Sequence, residues 1–305
     1  MYFPFLRGKQ NELIALRELS EQDNIQRFMR PIIEPVKDNF QPIIRTINEL
    51  NENNIQPLIV TTPTVGSCAQ PPHRITELLH NLDFIPCYIL SDRNQDRVIT
   101  SYTNSPSPKS IYLACGVSRD LRPLSDQSNI TLLHNDTPTR ALRDVDDFVL
   151  INDGFQKLAR NADYPSQSPF SELHLSFRDH DSCVGFSDYS IVGKDYSESG
   201  GPAFVVTIHI SYIDHESYEE MFIRHFSSYS NQTTPAEPAE KFSEALNELI
   251  DFINNNPGVI SETSAISEFR RLHERQHFPG LGQVKKLAIK HHIQTICDYL
   301  AEEEI

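Results

Sequence analysis

Runs of apolar, β-branched or aromatic residues punctuate the chain at 2–6, 31–36, 56–61, 84–90, 110–115, 130–133, 147–151 and 184–192. Most are continuous rather than alternating, the pattern of strands buried on both faces of a parallel sheet. Between them lie stretches with helical spacing. Leu13, Ile14, Leu16 and Leu19 share one face of a helix over 10–19. Ile43, Ile44, Ile47 and Leu50 do the same over 40–50, and Ile75, Leu78, Leu79 and Leu82 over 74–82. The connections beyond residue 100 are poorer in pattern, at 119–127, 139–144 and the Ser/Pro-rich 163–171.

Alternating strands and helices imply parallel pairing through right-handed crossovers. Eight strands within residues 2–192 predict an α/β fold closed as a (β/α)8 TIM-like barrel. An open α/β sheet is the other arrangement of the same elements. No G-x-G-x-x-G follows the first strand to mark a dinucleotide-binding version of it.

The pattern then changes. Residues 203–213 alternate, with Phe204, Val206, Ile208 and Ile210 on one face and Val205, Thr207, His209 and Ser211 on the other, which predicts an added strand. A helix is expected over 218–225, a polar linker over 227–238, and C-terminal helices near 239–255, 264–275 and 282–302. Phe242, Leu246, Leu249, Ile250 and Phe252 give the first of these an apolar side, expected to pack on the barrel wall. Residues 1–226 thus read as a barrel with a flap and added strand, and 239–305 as helices packed on it, forming one domain overall.

Composition narrows the function classes. A chain of 305 residues can bury a large core without staples. Its cysteines (Cys68, Cys87, Cys115, Cys183 and Cys297) form no C-x-x-C pair and suit reduced thiols in a cytoplasmic protein. No membrane span is legible, and the opening apolar run is too short for a signal peptide. A formal charge of -15 argues against direct nucleic-acid or anionic-membrane contact. The best basic patch, Lys285, Lys286, Lys290, His291 and His292 with Arg270 and Arg271 upstream, reads as a solvated helix face balanced by the Glu302-Glu303-Glu304 tail.

In a barrel, chemistry collects at the C-terminal ends of the strands. Residues at or just past those ends include Arg7, Lys9, Glu34, Lys37, Thr61, Thr62, Asp92, His134, Asp136, Asp153 and Asp188. Arg7-Gly8-Lys9, at the turn into the first helix, joins a flexible glycine to cations and a helix N-terminus, a combination suited to a small anionic ligand. The same cations could instead pair with Glu34 of the neighbouring strand. Glu34 is a candidate general base or metal ligand, with Lys37 as an electrophile or charge partner. Asp92, Asp153 and Asp188 could complete an oxygen-rich set for magnesium or manganese, or simply cap helices. Gly200-Gly201-Pro202 offers a backbone able to approach a ligand or to turn sharply. His209 reads as a core or edge residue, and no nucleophile motif is present.

The opening Tyr2-Phe3-Pro4-Phe5-Leu6-Arg7-Gly8-Lys9-Gln10, with Glu12-Leu13 and Ala15-Leu16, resembles the "beta protein" family of phages and bacteria. Pro31-Ile32-Ile33-Glu34-Pro35-Val36-Lys37 and the stretch from Asp188-Tyr189 to Gly200-Gly201-Pro202 extend the likeness. It is closest to a bacterial branch whose genes lie beside one for a small nuclease-fold protein. The resemblance implies a barrel-like fold and a two-component system of antiviral defence with a nuclease-fold partner. It transfers no catalytic residue.

Two expectations follow. In one, the chain is the non-nuclease component of a defence complex, a sensor or scaffold whose acidic surface docks a basic partner. In the other it is a barrel enzyme for a phosphorylated or nucleotide-like small molecule. Arg7, Gly8, Lys9, Gly200 and Gly201 would then hold the anion, and Glu34, Lys37, Asp153 and Asp188 would act in catalysis, with or without a divalent metal.

Overall fold

The computed structural model describes residues 1–69, 75–198, 200–201, 203–230 and 232–304. The chain divides into two compact units: Met1–Asn152 with Leu173–Tyr189, and Asp153–Glu172 with Ser190–Ile305.

The first unit is the expected barrel. Its parallel strands are β1 (Phe5–Leu6), β2 (Ile32–Ile33), β3 (Leu58–Val60), β4 (Ile85–Leu90), β5 (Ser110–Leu113), β6 (Ile130–His134) and β7 (Phe148–Asn152). The chain then contributes β8 (Gln167–Ser171) to the second unit and returns as β9 (Cys183–Asp188), which pairs in parallel with β7. The barrel is nearly closed. β9 and the start of the chain are joined by one parallel bridge, Tyr2 to Phe186, with Phe3 N donating to Phe186 O at 2.8 Å and Phe186 N to Met1 O at 3.1 Å. Gly185 makes this seam possible: a Cβ there would lie 2.2 Å from Met1 O, well inside contact.

The strand runs are continuous because both faces are covered. Phe3, Phe5, Ile32, Leu58, Val60, Cys87, Ile89, Leu132, Val149 and Ile151 join one core cluster drawn from strands around the barrel, and the intervening residues are buried as well. The crossovers carry α1 (Gln10–Leu19), α2 (Asp23–Phe28), α3 (Gln41–Glu52), α4 (Ile75–Leu78), α5 (Gln95–Thr103), α6 (Arg122–Ser125), α7 (Thr139–Leu142) and, before β9, α8 (Leu173–Ser176). The helix expected over 74–82 shrinks to the single turn of α4, and Arg74 lies outside the described residues.

The second unit has an antiparallel sheet in the order β10 (Thr207–Asp214), β11 (Glu220–Ser227), β8. Two expectations change here. Residues 218–225 form most of a strand rather than a helix, because Met221 and Ile223 alternate into the core with period two. The Ser/Pro-rich 163–171 is not merely a connection but contains edge strand β8, where Pro169 is tolerated. Helices α9 (Pro238–Asn255), α10 (Ser264–Glu274) and α11 (Leu281–Glu302) complete the unit. The apolar face of α9 (Phe242, Leu246, Leu249 and Ile250) was expected on a barrel wall. It lies in a core with Val206, Ile208 and Ile210 of the second unit's own sheet region and with Ile266 and Phe269 of α10.

The C-terminal basic cluster is not a solvated face. Lys285 is exposed, but Lys290, His291 and His292 are buried. His291 Nδ1 lies 2.8 Å from Thr263 Oγ1, its Nε2 2.8 Å from Ser211 O, and His292 Nδ1 2.9 Å from Ser211 Oγ. Among the described residues, no helix is long and apolar enough to cross a membrane.

Candidate functional site at the barrel mouth

The C-terminal ends of β1 and β2 bring Arg7 and Glu34 together. Arg7 Nη1 donates to Glu34 Oε2, with the Glu34 side chain fully buried and that of Arg7 11% exposed. The other carboxylate oxygen, Oε1, accepts from Thr64 N at 2.6 Å and Thr64 Oγ1 at 2.9 Å. Glu34 thus ties the first two strands to the loop after β3. That loop is itself pressed onto the chain after β2: Gly66 has φ +74°, and a Cβ there would lie 2.2 Å from Val36 O.

The guanidinium of Arg7 also lies over two rings, 5.1 Å from the Phe5 centroid and 5.4 Å from that of Tyr189. Its backbone N–H donates to Glu12 Oε2 at 2.6 Å, so a buried acid in the first turn of α1 reaches back across the Arg7-Gly8-Lys9 turn. This has the logic of a capping box and places negative charge at the helix N-terminus. Gly8 (φ +61°) serves that turn, and a Cβ on it would meet Glu34 O at 3.0 Å. The chain therefore supplies its own anions where an anionic ligand was expected.

Beside this pair lies a chain of hydroxyls. Tyr112 of β5 points its Oη to His134 Nε2 at 3.1 Å and to Tyr189 Oη at 3.2 Å. Burial, and next the neighbouring Tyr189, push the Tyr112 hydroxyl far above its ordinary range, which keeps it a hydrogen-bonding group rather than an acid. Phe5 packs on Tyr189 with centroids 5.0 Å apart.

The other expected residues are not drawn into one catalytic set. Asp188 ends β9, is buried, and accepts from Tyr2 Oη at 2.8 Å, which pins the barrel seam. Lys37 is exposed on the loop beyond Val36. Lys9 is partly buried and precedes α1 in an extended conformation. Asp92 and Asp136 are exposed, whereas Thr62 is buried and accepts from Ile89 N at 2.8 Å. Asp153 belongs to the second unit. Gly200 and Gly201 are exposed, and a Cβ on either would meet no described atom within 4 Å, so no close approach there requires glycine. Pro202 lies outside the described residues. Among the described residues, no group of three or more His, Cys, Asp or Glu side chains could hold a metal ion. The thiols are no better placed as nucleophiles: burial pushes Cys87 up to about 12 and Cys68 up to about 11.

Thr64, Tyr112 and Tyr189 are the mouth residues that sequence reasoning did not assign a role. A tyrosine inside the apolar run 110–115 is the one available signal for Tyr112, since its hydroxyl needs a partner once buried. No protein-family model and no curated protein matches this chain.

Proposed function

We propose that the protein is the non-nuclease component of a two-component bacterial defence system against phage or mobile DNA, acting in the cytoplasm as a sensor or partner-binding scaffold. The supporting observation is the commitment of Glu34: both oxygens accept hydrogen bonds from Arg7 and Thr64, and the carboxylate is buried. A general base needs a lone pair directed at substrate. Here the lone pairs are directed at the protein's own loop and strand, which supports a mouth built to hold its shape. The resemblance of residues 2–16 and 31–37 to the beta protein family supplies the expected partner, a small nuclease-fold protein.

The formal charge of -15 supports docking to a basic partner and disfavours direct contact with DNA. Co-expression with the product of the adjoining gene tests this reading. A stable complex in size-exclusion chromatography, weakened by salt, is the expected result. Clean separation at low salt would count decisively against it.

A second reading, a barrel enzyme for a phosphorylated or nucleotide-like molecule, draws support from the Tyr112, His134 and Tyr189 chain beside the Arg7 guanidinium. Under it, Tyr112→Phe would abolish turnover of such a substrate while the protein kept its melting temperature.

A further inference from the structure

Three neighbouring strands of the second unit set a serine and two histidines in a hydrogen-bonded row. β10 supplies His209 and β11 supplies His225, directly paired across the ladder; β8, on the other side of β11, supplies Ser168. Ser168 Oγ lies 2.8 Å from His225 Nε2, and His225 Nδ1 lies 2.7 Å from His209 Nδ1.

The row needs one donor and one acceptor at each of its contacts. Burial lowers His209 to about 3 and His225 to about 4, so both rings are neutral at neutral pH. When His225 donates its Nδ1–H to His209, its Nε2 carries a lone pair facing the Ser168 hydroxyl. Nucleophile, base and orienting group then stand in sequence.

The surroundings hold the rings in place. Tyr164 stacks on His225 at 4.7 Å between centroids and meets His209 edge-on at 4.7 Å, while Phe155 meets His209 at 5.1 Å. His225 is buried, but Ser168 is partly exposed at the end of the row. A partly accessible hydroxyl whose imidazole partner is flanked by aromatic rings suits a small ester with an apolar acyl group.

We infer that Ser168 and His225, positioned by His209, form an acyl-transfer site for small apolar esters. This inference does not depend on the reading of the barrel mouth. Ser168 Oγ attacks the ester carbonyl carbon as its proton passes to His225 Nε2. The carbon–alkoxy bond then breaks, and the leaving alkoxide takes that proton from Nε2, which leaves an acyl-serine. Water attacks the acyl carbon, giving one proton to Nε2; Ser168 departs, recovers that proton, and the carboxylic acid is released. No further co-reactant is needed.

The full-length protein is treated with an alkyl fluorophosphonate and digested for mass spectrometry, and p-nitrophenyl acetate hydrolysis is followed in parallel. The expected result is one covalent adduct on Ser168 and turnover that Ser168→Ala returns to the buffer background. His225→Gln should lower turnover by about 100-fold or more, the range of a lost general base. His209→Phe should lower kcat while leaving KM in place, a split that simple loosening of the sheet would not give. Circular dichroism of Ser168→Ala, which removes only a hydroxyl, controls for folding. Absence of an adduct on Ser168 in the folded wild-type protein would overturn the inference, as would Ser168→Ala hydrolysing the ester at the wild-type rate. Labelling of His225→Gln at the wild-type rate would remove His225 as the base.

Discussion

The two units bury polar groups in different ways. In the barrel, acids at strand ends are matched to donors from neighbouring segments: Glu34 to Arg7 and Thr64, Asp188 to Tyr2. In the second unit, buried or partly buried imidazoles are instead held neutral. His209, His225 and His291 are all lowered by burial, to about 3, about 4 and about 4. A desolvated imidazole binds its proton more weakly folded than unfolded, so the unit containing it becomes a proton-sensitive structure.

The largest expected effect follows from that difference. An unfolded histidine titrates near about 6.5. Since the folded values are depressed, the unfolded state binds more protons below that point. The stability is fully present above about pH 6.5 and is lost as pH falls toward about 4, with a combined size on the order of several kcal/mol. Hydrogen exchange at pH 7 and pH 4.5 should show α9, α10, β10 and β11 losing protection before β4 to β7. Earlier opening of the barrel strands would break the comparison.

Next in size is Glu34→Gln. It leaves the Arg7 guanidinium without its counter-charge, and breaking a buried pair typically costs about 3–5 kcal/mol, with the lower end expected for a partly exposed arginine. A clear drop in melting temperature is the predicted readout. Lys241→Met probes the second unit's buried ammonium, which donates to Phe204 O at 2.8 Å and Thr234 O at 2.5 Å. Orphaning those carbonyls should cost about 1–3 kcal/mol in denaturant unfolding. Tyr2→Phe removes the bond to Asp188 and should cost about 1–2 kcal/mol, with faster exchange at the seam between residue 3 and β9. An unchanged seam would mean that the backbone bridge alone closes the barrel.

The same contrast explains what the sequence made legible. Barrel strands are covered on both faces, so each left a continuous apolar run, and each of the eight runs overlaps one strand of the barrel. The second unit's sheet depends on alternation, which is easily disguised. In β11 the buried positions Met221, Ile223 and His225 include a histidine, and Tyr218, Phe222 and Ile223 mimic helical spacing. β8 contains only one apolar side chain apart from its proline, because as an edge strand it buries little beyond Phe170. On α11, Lys290, His291 and His292 looked like surface because charge usually marks solvent. The two histidines are buried because their polar atoms meet partners from distant segments, Ser211 and Thr263 for His291 and Ser211 for His292.

At the mouth, the pairing of the first strand's cation with Glu34 was one of two readings that the residue types allowed. Local sequence could not identify Thr64 as the second partner, since Thr64 is supplied by the loop after β3 and its placement depends on Gly66 lying against Val36. The hydroxyl chain was invisible for a similar reason. Tyr112 and Tyr189 meet only because β5 and β9 belong to one nearly closed sheet.

A double-mutant cycle on Arg7→Met and Glu34→Gln, read by denaturant unfolding, tests most directly whether the mouth's charges serve each other. Mutual service predicts that each single change is strongly destabilising and that the double variant loses much less than the sum, with a coupling of at least about 1 kcal/mol. Additive, small effects on stability would contradict it and return Glu34 to the role of a catalytic acid or base.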